Sequence, residues 1–559
     1  MANLISARHR RAAPRHAAPA IGASILGISL DARAVILICA VAALLRVLSL
    51  GGVSTDYDEG VYWQSLRAMS HGHPLFTSVF SSQPPFFLLA IYPFYLAFGQ
   101  TLAAARLGVA IWSVAGIAAI YFAGRALGGR WCGLLACLLL AADPLYLHES
   151  HTLQAEAPSV ALLVLCVALA AGAMRSRARA RRVLAALSGV ALGLGILTKL
   201  WDVVAFIPAL LLLTQPLWGA LTYRDGRLRG PKPGALRAGL RHTLPDVGLL
   251  IAGLLVAFAA VLLPFAGSWG ALYDQVVRFH LAAGNAGGVV DHGLRYNLGI
   301  LVRDGNAYAI MLVALVGVAL SVWRRAWVVV PVLLWLLASV VVLLRQQPLL
   351  DHHLALLAPA LALLAGFVLP LAKGPLNQPI AYRRPLRPYK AANRERLPQR
   401  IARAGRELGL AKSTLTRAVV GVAALALVVC AVLSAREVRA ANAAIPDAQA
   451  RMAITLQART TPDDLIASDD QYVVGLAGRD VLPQLVDTSQ VRIASGYLPA
   501  QQLESLITRT DTRVILFATG RFDMVPGFRQ WVEQNYTKVA DFGNGHALYL
   551  KLATGPVIA

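Results

Sequence analysis

The sequence has little charge for its length. Asp, Glu, Lys and Arg together make up 14% of the 559 residues, whereas soluble domains carry about 25%. Hydrophobic residues make up 57%, and several apolar runs reach the roughly 20 residues that a helix needs to cross the hydrocarbon layer of a bilayer. The shortage of charge therefore excludes a soluble globular protein and predicts a polytopic α-helical membrane protein.

Cysteine is scarce as well, and every cysteine lies within an apolar segment. A disulfide framework would place cysteines in exposed loops, so we interpret these as small hydrophobic residues packed inside helices. They give no information on the redox compartment. They are Cys39, Cys132, Cys137, Cys166 and Cys430.

Acidic residues are the scarcer charge, with 29 Asp and Glu against 52 Lys and Arg and a formal net charge of +23. This balance does not indicate a nucleic-acid partner, because the basic residues occur in short blocks between apolar runs rather than on one basic domain. Such blocks are typical of the cytosolic loops of membrane proteins, where they meet anionic lipid head groups.

The apolar runs predict about eleven transmembrane helices. With a cytosolic N-terminus, the basic blocks fall in the even-numbered loops, and the longest of these, 373–417, carries twelve Lys and Arg against two Glu. This alternation predicts a multi-pass protein of the cell (plasma) membrane whose C-terminus is extracytoplasmic. The predicted spans are residues 34–51, 101–123, 131–147, 157–174, 183–201, 203–222, 246–266, 306–323, 326–344, 352–372 and 418–436.

The apolar segment 84–98 is not counted as a span. It is short and interrupted by Pro93, and counting it would place every later basic block outside the cell. We interpret it as an interfacial or re-entrant helix within the outer loop 52–100.

Three regions are predicted. Residues 1–33 form a cytosolic basic tail, and residues 34–436 form the transmembrane domain with its cytosolic basic loop. After the last span the composition becomes mixed, and short β-like runs alternate with helical ones. Residues 437–559 are therefore predicted to form a small extracytoplasmic α/β domain.

Carboxylates are concentrated directly after the first span. Asp56, Asp58 and Glu59 lie within four residues at the predicted membrane surface. In a helix over residues 58–72, Asp58 and Tyr62 share a face by their i, i+4 spacing. The structural alternative is an acidic first turn that the helix dipole favours.

A second polar group precedes the fourth span and contains His148, Glu149, His151 and Glu156. The two histidines resemble a zinc-protease helix motif, but the second is one residue early for the required i, i+4 pair. A divalent metal is therefore not expected. A carboxylate such as Glu156 at a membrane boundary is costly unless it is paired or functional.

Two further groups supply positive charge on the same predicted side. Lys199 either snorkels to lipid head groups or binds a phosphate inside a cavity. Arg345 runs against the positive-inside bias, which favours a specific anionic partner, and His352 and His353 follow it closely.

These residues resemble an ordered set of motifs in the GT-C class of polyprenyl-phosphate-sugar-dependent glycosyltransferases. The similarity is to the protein O-mannosyltransferase/aminoarabinose-transferase-like branch (glycosyltransferase family 39-like) and covers about residues 1–436. The motifs are Tyr57-Asp58-Glu59-Gly60, Gln83-Pro84-Pro85-Phe86, Arg106, His148-Glu149-Ser150-His151, Glu156, Gly195-Ile196-Leu197-Thr198-Lys199 and the segment from His352 to Leu361.

The resemblance implies a GT-C-like fold and a role for each matched residue. Asp58 is expected to be the general base, Glu59 its structural companion and Glu156 a second acid that positions acceptor or sugar. The donor phosphate is expected at Lys199, with Arg345, His352 and His353. Acceptor or sugar binding is expected at Tyr62, His148, Glu149 and His151.

Two positions depart from the family pattern. Family members often have Lys or Arg before the Pro-Pro pair, where this chain has Gln83, which weakens the case for a phosphate role there. Many have Asp where this chain has Glu156, which keeps the charge but reaches further.

The expected activity is transfer of a monosaccharide from a polyprenyl-phosphate donor to a hydroxyl on a protein, a lipid or a cell-wall glycan, with inversion and without a covalently bound cofactor. A transporter or lipid flippase is the main alternative, although such proteins usually show a midplane site and repeat symmetry, and this chain has no internal repeat. A receptor-like protein would leave the carboxylates of residues 56–59 unexplained.

Overall fold

The computed structural model describes residues 29–53, 56–218, 235–285, 293–303, 305–374, 376 and 414–551. Most of the predicted basic tail and most of the predicted loop 373–417 lie outside the described residues. The division into three regions therefore stays a prediction.

The first half of the chain is helical, and its helices are joined by short connections. A 3₁₀ helix spans Leu200–Ala205. The α-helices are α1 (Leu30–Val47), α2 (Tyr57–Ser70), α3 (Phe86–Ala97), α4 (Leu102–Gly128), α5 (Arg130–Ala142), α6 (Pro144–His151), α7 (Glu156–Arg175), α8 (Ala178–Ile196), α9 (Phe206–Leu213) and α10 (Gln215–Trp218).

Helices continue to residue 459, interrupted by 3₁₀ turns at Leu263–Ser268, Trp327–Val329 and Asp351–Leu357 and by a π-helical turn at Asp274–Arg278. The α-helices are α11 (Ala235–Leu262), α12 (Trp269–Tyr273), α13 (Phe279–Asn285), α14 (Gly293–Arg303), α15 (Gly305–Trp323), α16 (Val330–Arg345), α17 (Ala358–Gly366), α18 (Val368–Lys373), α19 (Thr414–Ala441) and α20 (Asp447–Arg459).

Six described helices are long and apolar enough to cross a membrane, or seven if α5 and α6 form one span. The predicted count of eleven is therefore not confirmed. The predicted span 131–147 falls on α5 and α6, which are bent by 59°. The predicted span 203–222 falls on the end of the apolar helical stretch Leu200–Leu213, which is shorter than 18 residues, and on α10, and its last four residues lie outside the described ones. Hydropathy alone does not show where a polar residue or a turn divides an apolar run.

The segment 84–98 contains the 12-residue helix α3. At 1.5 Å per residue, α3 is about 18 Å long, which is well short of the roughly 30 Å hydrocarbon layer. Its first amide, of Phe86, donates to the carbonyl of Leu197 at 3.0 Å. The helix is therefore fixed beside the end of α8.

Small residues allow the long helices to approach closely, as is common between membrane helices. A Cβ added at Gly189 of α8 would lie 1.9 Å from the carbonyl oxygen of Leu250 in α11, and one added at Gly253 would lie 2.0 Å from that of Ala186. Any larger residue at these two positions would push the helices apart.

The C-terminal segment, residues 447–551, contains a five-stranded mixed sheet of order β2-β1-β3-β5-β4. Strand β1 pairs in parallel with β2 and β3, and β5 pairs antiparallel with β3 and β4. The elements are β1 (Leu465–Ser468), α21 (Gln471–Leu476), β2 (Asp480–Val481), a 3₁₀ turn (Pro483–Leu485), α22 (Gln490–Ala494), α23 (Ala500–Arg509), β3 (Val514–Phe517), a 3₁₀ turn (Phe522–Met524), α24 (Phe528–Asn535), β4 (Tyr536–Gly543) and β5 (His546–Lys551).

Helix α2 packs directly against the C-terminal segment. A Cβ at Gly60 would lie 2.6 Å from the backbone nitrogen of Tyr472, so only glycine permits this approach. The Gln64 side chain donates to the carbonyl of Arg479 at 3.1 Å and accepts from the amide of Val481 at 3.2 Å. The helix after the first span is thus held from the sheet side as well as from the helical bundle.

Candidate active site

The cap of α2 brings two carboxylates together. Asp56 is the N-cap, and its carboxylate accepts the Asp58 amide at 2.9 Å. Asp58 therefore lies in the first turn, where the helix dipole favours negative charge. The motif resemblance implies a role for Asp58 and none for Asp56, although an Asp directly before a predicted helix is a recognisable cap signal.

Glu59 faces away from this pair and is fully buried. Its carboxylate receives two hydrogen bonds from the guanidinium of Arg106, each 2.7 Å long, and a third from the amide of Leu153 at 2.6 Å. Bidentate pairs of this kind fix geometry strongly. Glu59 therefore anchors α2 to α4, and it is a positioning residue that has no free carboxylate oxygen for a substrate.

Glu156 lies at the start of α7 and pairs with Lys199. The Lys199 ammonium donates to the Glu156 carboxylate and lies 4.5 Å from the centroid of the Trp201 ring. Lys199 is 5% exposed, so it does not snorkel to a lipid surface. The resemblance grouped these two residues in one site, and the structure places them in contact.

His352 links this pair to the cap of α2. Its Nδ1 lies 3.5 Å from an oxygen of Asp56, and its Nε2 lies 3.7 Å from an oxygen of Glu156. One imidazole thus lies between two carboxylates that are 100 residues apart in the chain. His353 stacks edge-on against Trp201, with ring centroids 4.8 Å apart.

Burial and neighbouring charge change the proton affinity of the two cap carboxylates. Burial, together with the negative charge of Asp56, raises the pKa of Asp58 to about 7, against the opposing charges of His352 and Lys199. Although burial opposes it, the hydrogen bond and charge of His352 hold the pKa of Asp56 below its usual value. Two neighbouring carboxylates with separated pKa values are typical of an acid/base site.

Three more of the expected site residues lie on or beside α6. His148 contacts Glu437 of α19, with its Nδ1 3.2 Å from a carboxylate oxygen. Glu149 and His151 are buried, and their polar side-chain atoms have no hydrogen-bond partner among the residues that the structure describes. The side-chain amide of Gln154 is likewise buried and has no hydrogen-bond partner among the described residues. These groups are able to donate hydrogen bonds to several hydroxyls of one ligand and to accept hydrogen bonds from them.

The remaining expected residues have different positions. Tyr62 is buried one helical turn after Asp58 and meets Phe87 edge-on, with ring centroids 4.8 Å apart. Arg345 is exposed at the C-terminal end of α16, and within the described ranges it forms no ion pair with the other site residues. The structure thus gives no contact that supports a phosphate role for Arg345.

Glu156, His352 and His353 also offer ligand atoms within 4.8 Å of one another, as a metal site would. Two contacts compete with a metal ion. Lys199 already donates to Glu156, and the amide of Leu350 donates to His353 Nδ1 at 3.2 Å. The expectation that no divalent metal is needed stays a prediction.

Residues 82–224 match the model of a family described as dolichyl-phosphate-mannose-protein mannosyltransferase. This part of the chain is thus similar to a glycosyltransferase family. It includes Glu156 and Lys199, whereas Asp58 precedes it and His352 follows it. The resemblance to GT-C glycosyltransferases that the motifs indicated is confirmed.

Solved structures extend the similarity to nearly the whole chain. ArnT from Cupriavidus metallidurans bound to undecaprenyl phosphate is 18% identical, with 93% of this chain and 99% of ArnT covered and a TM-score of 0.61. Its apo form is 16% identical, with 94% and 100% covered and the same TM-score. The apo oligosaccharyltransferase of Archaeoglobus fulgidus is 12% identical, with 94% and 75% covered and a TM-score of 0.53. The TM-scores and the share of each chain covered show a common fold. Among curated proteins no match was found.

Proposed function

We propose that the protein is a membrane glycosyltransferase that moves a monosaccharide from a polyprenyl-phosphate donor to a hydroxyl acceptor. The main observation behind the proposal concerns the Asp58 carboxylate. Burial and the negative charge of Asp56 raise its pKa to about 7, and it lies beside the Lys199–Glu156–His352 cluster. A base with a pKa close to the working pH combines the correct protonation state with useful driving force.

Asp58 acts on the acceptor. A hydroxyl is a weak nucleophile, and a base that removes its proton as the new bond forms lowers the barrier. The acceptor oxygen bonds to the anomeric carbon, the bond from that carbon to the phosphate oxygen breaks, and its electron pair leaves with the polyprenyl phosphate. One base opposite one leaving group gives inversion at the anomeric carbon.

Lys199 and His352 act on the leaving phosphate. Lysine has three N–H donors, and the Glu156 contact uses one of them. The others are available to stabilise the charge that grows on the phosphate oxygen. Glu156 orients Lys199 and His352 through its contacts with both. The ArnT structure that shares this fold was solved with undecaprenyl phosphate bound, which supports a polyprenyl-phosphate donor.

The alternation of basic loops supports a site on the extracytoplasmic side, with the N-terminus cytosolic. The buried polar groups of Glu149, His151 and Gln154 are proposed to receive sugar or acceptor hydroxyls, together with Tyr62. The acceptor is proposed to be a protein, lipid or cell-wall glycan hydroxyl.

The test is transfer of labelled sugar from polyprenyl-phosphate sugars by membranes that contain the wild type or Asp58→Asn. Loss of a general base is expected to lower the rate about 10²- to 10⁴-fold. Asp523→Asn is the control, because Asp523 is a half-exposed residue of the C-terminal segment paired with Arg529. Full activity of Asp58→Asn at an equal protein level would rule out Asp58 as the base. Movement of the intact lipid-linked sugar without transfer would instead support a flippase.

A further inference from the structure

The C-terminal segment contacts the residue that precedes the proposed base. The amide of Thr488 donates to the hydroxyl oxygen of Tyr57 at 2.6 Å, and the Thr488 hydroxyl lies 3.2 Å from the same oxygen. Tyr57 is the first residue of α2, directly before Asp58. The position of the first turn of α2 therefore depends on residues more than 400 positions later in the chain.

A cation fixes the Tyr57 ring as well. The guanidinium carbon of Arg521 lies 3.8 Å from the centroid of the Tyr57 ring, well within the range of cation–π attraction. Tyr57 is thus held at its hydroxyl by Thr488 and at its ring face by Arg521. Both contacts come from loops beside the sheet, since Thr488 follows the turn Pro483–Leu485 and Arg521 follows β3.

Asp487, next to Thr488, is a buried carboxylate near the guanidinium of Arg492. It is 5% exposed. One oxygen accepts the Ser489 amide at 2.8 Å, and the other is 3.5 Å from the hydroxyl of Ser82. Among the described residues no Lys or Arg side chain forms an ion pair with it, although Arg492 donates to its backbone carbonyl. Such burial costs stability, so a contribution to function is the better explanation.

The negative charge of Asp487 also acts on the proposed base, Asp58. Burial is the largest cause of the raised pKa of Asp58, Asp56 is the next, and Asp487 makes a smaller contribution in the same direction. Burial is also the largest cause of the raised pKa values of Tyr57 and Tyr62, and Asp487 adds to both. The charged groups that act on Asp58 come from four parts of the chain. They are Asp56 at the cap of α2, His352 on the turn Asp351–Leu357, Lys199 before the turn Leu200–Ala205, and Asp487.

We propose that residues 487–489 complete the active site, with Asp487 as a positioning residue. These residues act through α2, because the Tyr57–Thr488 contact orients the helix turn that carries Asp58, and Asp487 adds a negative charge that acts on this turn. The C-terminal segment then contributes residues to the active site in addition to packing against α2. This inference rests on the proposed role of Asp58.

The first experiment compares the pH dependence of transfer by the wild type, Asp487→Asn, Asp487→Glu and the control Asp523→Asn. Removal of a negative neighbour makes deprotonation of Asp58 easier, so the acidic limb of the profile for Asp487→Asn is expected to move to lower pH by about half a unit. Asp487→Glu keeps the charge and is expected to keep the wild-type profile. Asp523→Asn is expected to match the wild type.

The second experiment removes the hydrogen bonds through which Thr488 orients the first turn of α2. Tyr57→Phe loses the hydrogen bonds to Thr488 but keeps the ring under Arg521. A lost hydrogen bond of ordinary strength corresponds to about a 5- to 10-fold effect, and we expect it in kcat with little change in KM for the donor, because Tyr57 does not touch the donor site.

The outcomes separate the two proposals. If Asp58→Asn is inactive while Asp487→Asn keeps the profile of the Asp523→Asn control and Tyr57→Phe keeps the wild-type kcat, the role of Asp487 is overturned and the base assignment stands. If Asp58→Asn is fully active, the proposed function fails first. Should Asp487→Asn fail to accumulate in membranes, a wild-type kcat of Tyr57→Phe would by itself overturn the inference.

Discussion

Two neighbouring carboxylates on α2, Asp58 and Glu59, have very different surroundings. Glu59 receives three strong hydrogen bonds, two from Arg106 and one from a backbone amide. Asp58 lies near the negative charges of Asp56 and Asp487, and the positive charges of His352 and Lys199 offset them only in part. A buried charge that is fully compensated stabilises one conformation, whereas an incompletely compensated one titrates near neutral pH and can exchange a proton. Two consecutive residues of one helical turn are thus a candidate base and an anchor.

The largest effect on stability is expected at the anchor. Arg106→Met leaves the Glu59 carboxylate buried without its cation, and breaking such a pair costs about 3–5 kcal/mol. We expect a strong drop in thermal stability in detergent and a lower protein level in membranes. Asp58→Asn, which removes an uncompensated charge, is expected to keep or raise the melting temperature while abolishing transfer. Equal loss of stability in both variants would contradict the distinction between the two carboxylates.

A large effect on activity is expected at Lys199. Lys199→Ala removes the cation proposed to stabilise the leaving phosphate and is expected to lower kcat about 10²-fold. Lys199→Arg keeps the charge but places it differently, so a partial recovery is expected. Lys373→Ala is the matched control, because Lys373 is an exposed lysine at the end of α18. Wild-type transfer by Lys199→Ala would remove Lys199 from the mechanism.

The pH dependence gives a smaller but diagnostic effect. Because Asp58 must be ionised to accept a proton and its pKa is about 7, kcat/KM for transfer is expected to rise with pH through neutrality. The ionised fraction of such a group increases from about one tenth at pH 6 to about nine tenths at pH 8. Measurements between pH 5.5 and 9 with one donor and one acceptor provide the check. A rate that is flat across this range would assign the base to another group.

No effect is expected from removal of divalent metal ions. The Lys199 ammonium already pairs with one oxygen of Glu156, and the Leu350 amide already donates to Nδ1 of His353, so both contacts compete with a metal ion. Transfer is expected to persist after dialysis against a chelator, and added Zn²⁺ is expected to leave it unchanged or inhibit it. If a chelator abolishes transfer and one metal restores it, Glu156, His352 and His353 bind a catalytic ion.

Much of the candidate site could be recognised from the sequence, because burial of charge at a membrane is costly and charged residues there stand out against apolar runs. Asp58, Glu156, Lys199 and His352 were singled out in this way with the help of their motif order. Asp56 was recognised only as one of three carboxylates within residues 56–59, and Asp487 was missed because it lies in a region of ordinary composition.

The span count shows the opposite limitation. Hydropathy records the length of an apolar run but not its geometry, so the 59° bend between α5 and α6 was not predicted. The shortness of α3 was easier to anticipate, since the apolar run there is short and interrupted by Pro93.

The sequence by itself determined that the protein is a polytopic membrane protein, that its basic residues occur in blocks between apolar runs, and that its chemistry-bearing residues gather around the ends of those runs. Composition and periodicity suffice for these properties because the bilayer acts on each segment separately. Only the tertiary structure decided which carboxylate is neutralised. Arg106 reaches Glu59, His352 reaches Asp56, and Asp487 remains near Asp58 because the folded chain brings distant segments together, and the charge around each group sets its chemistry.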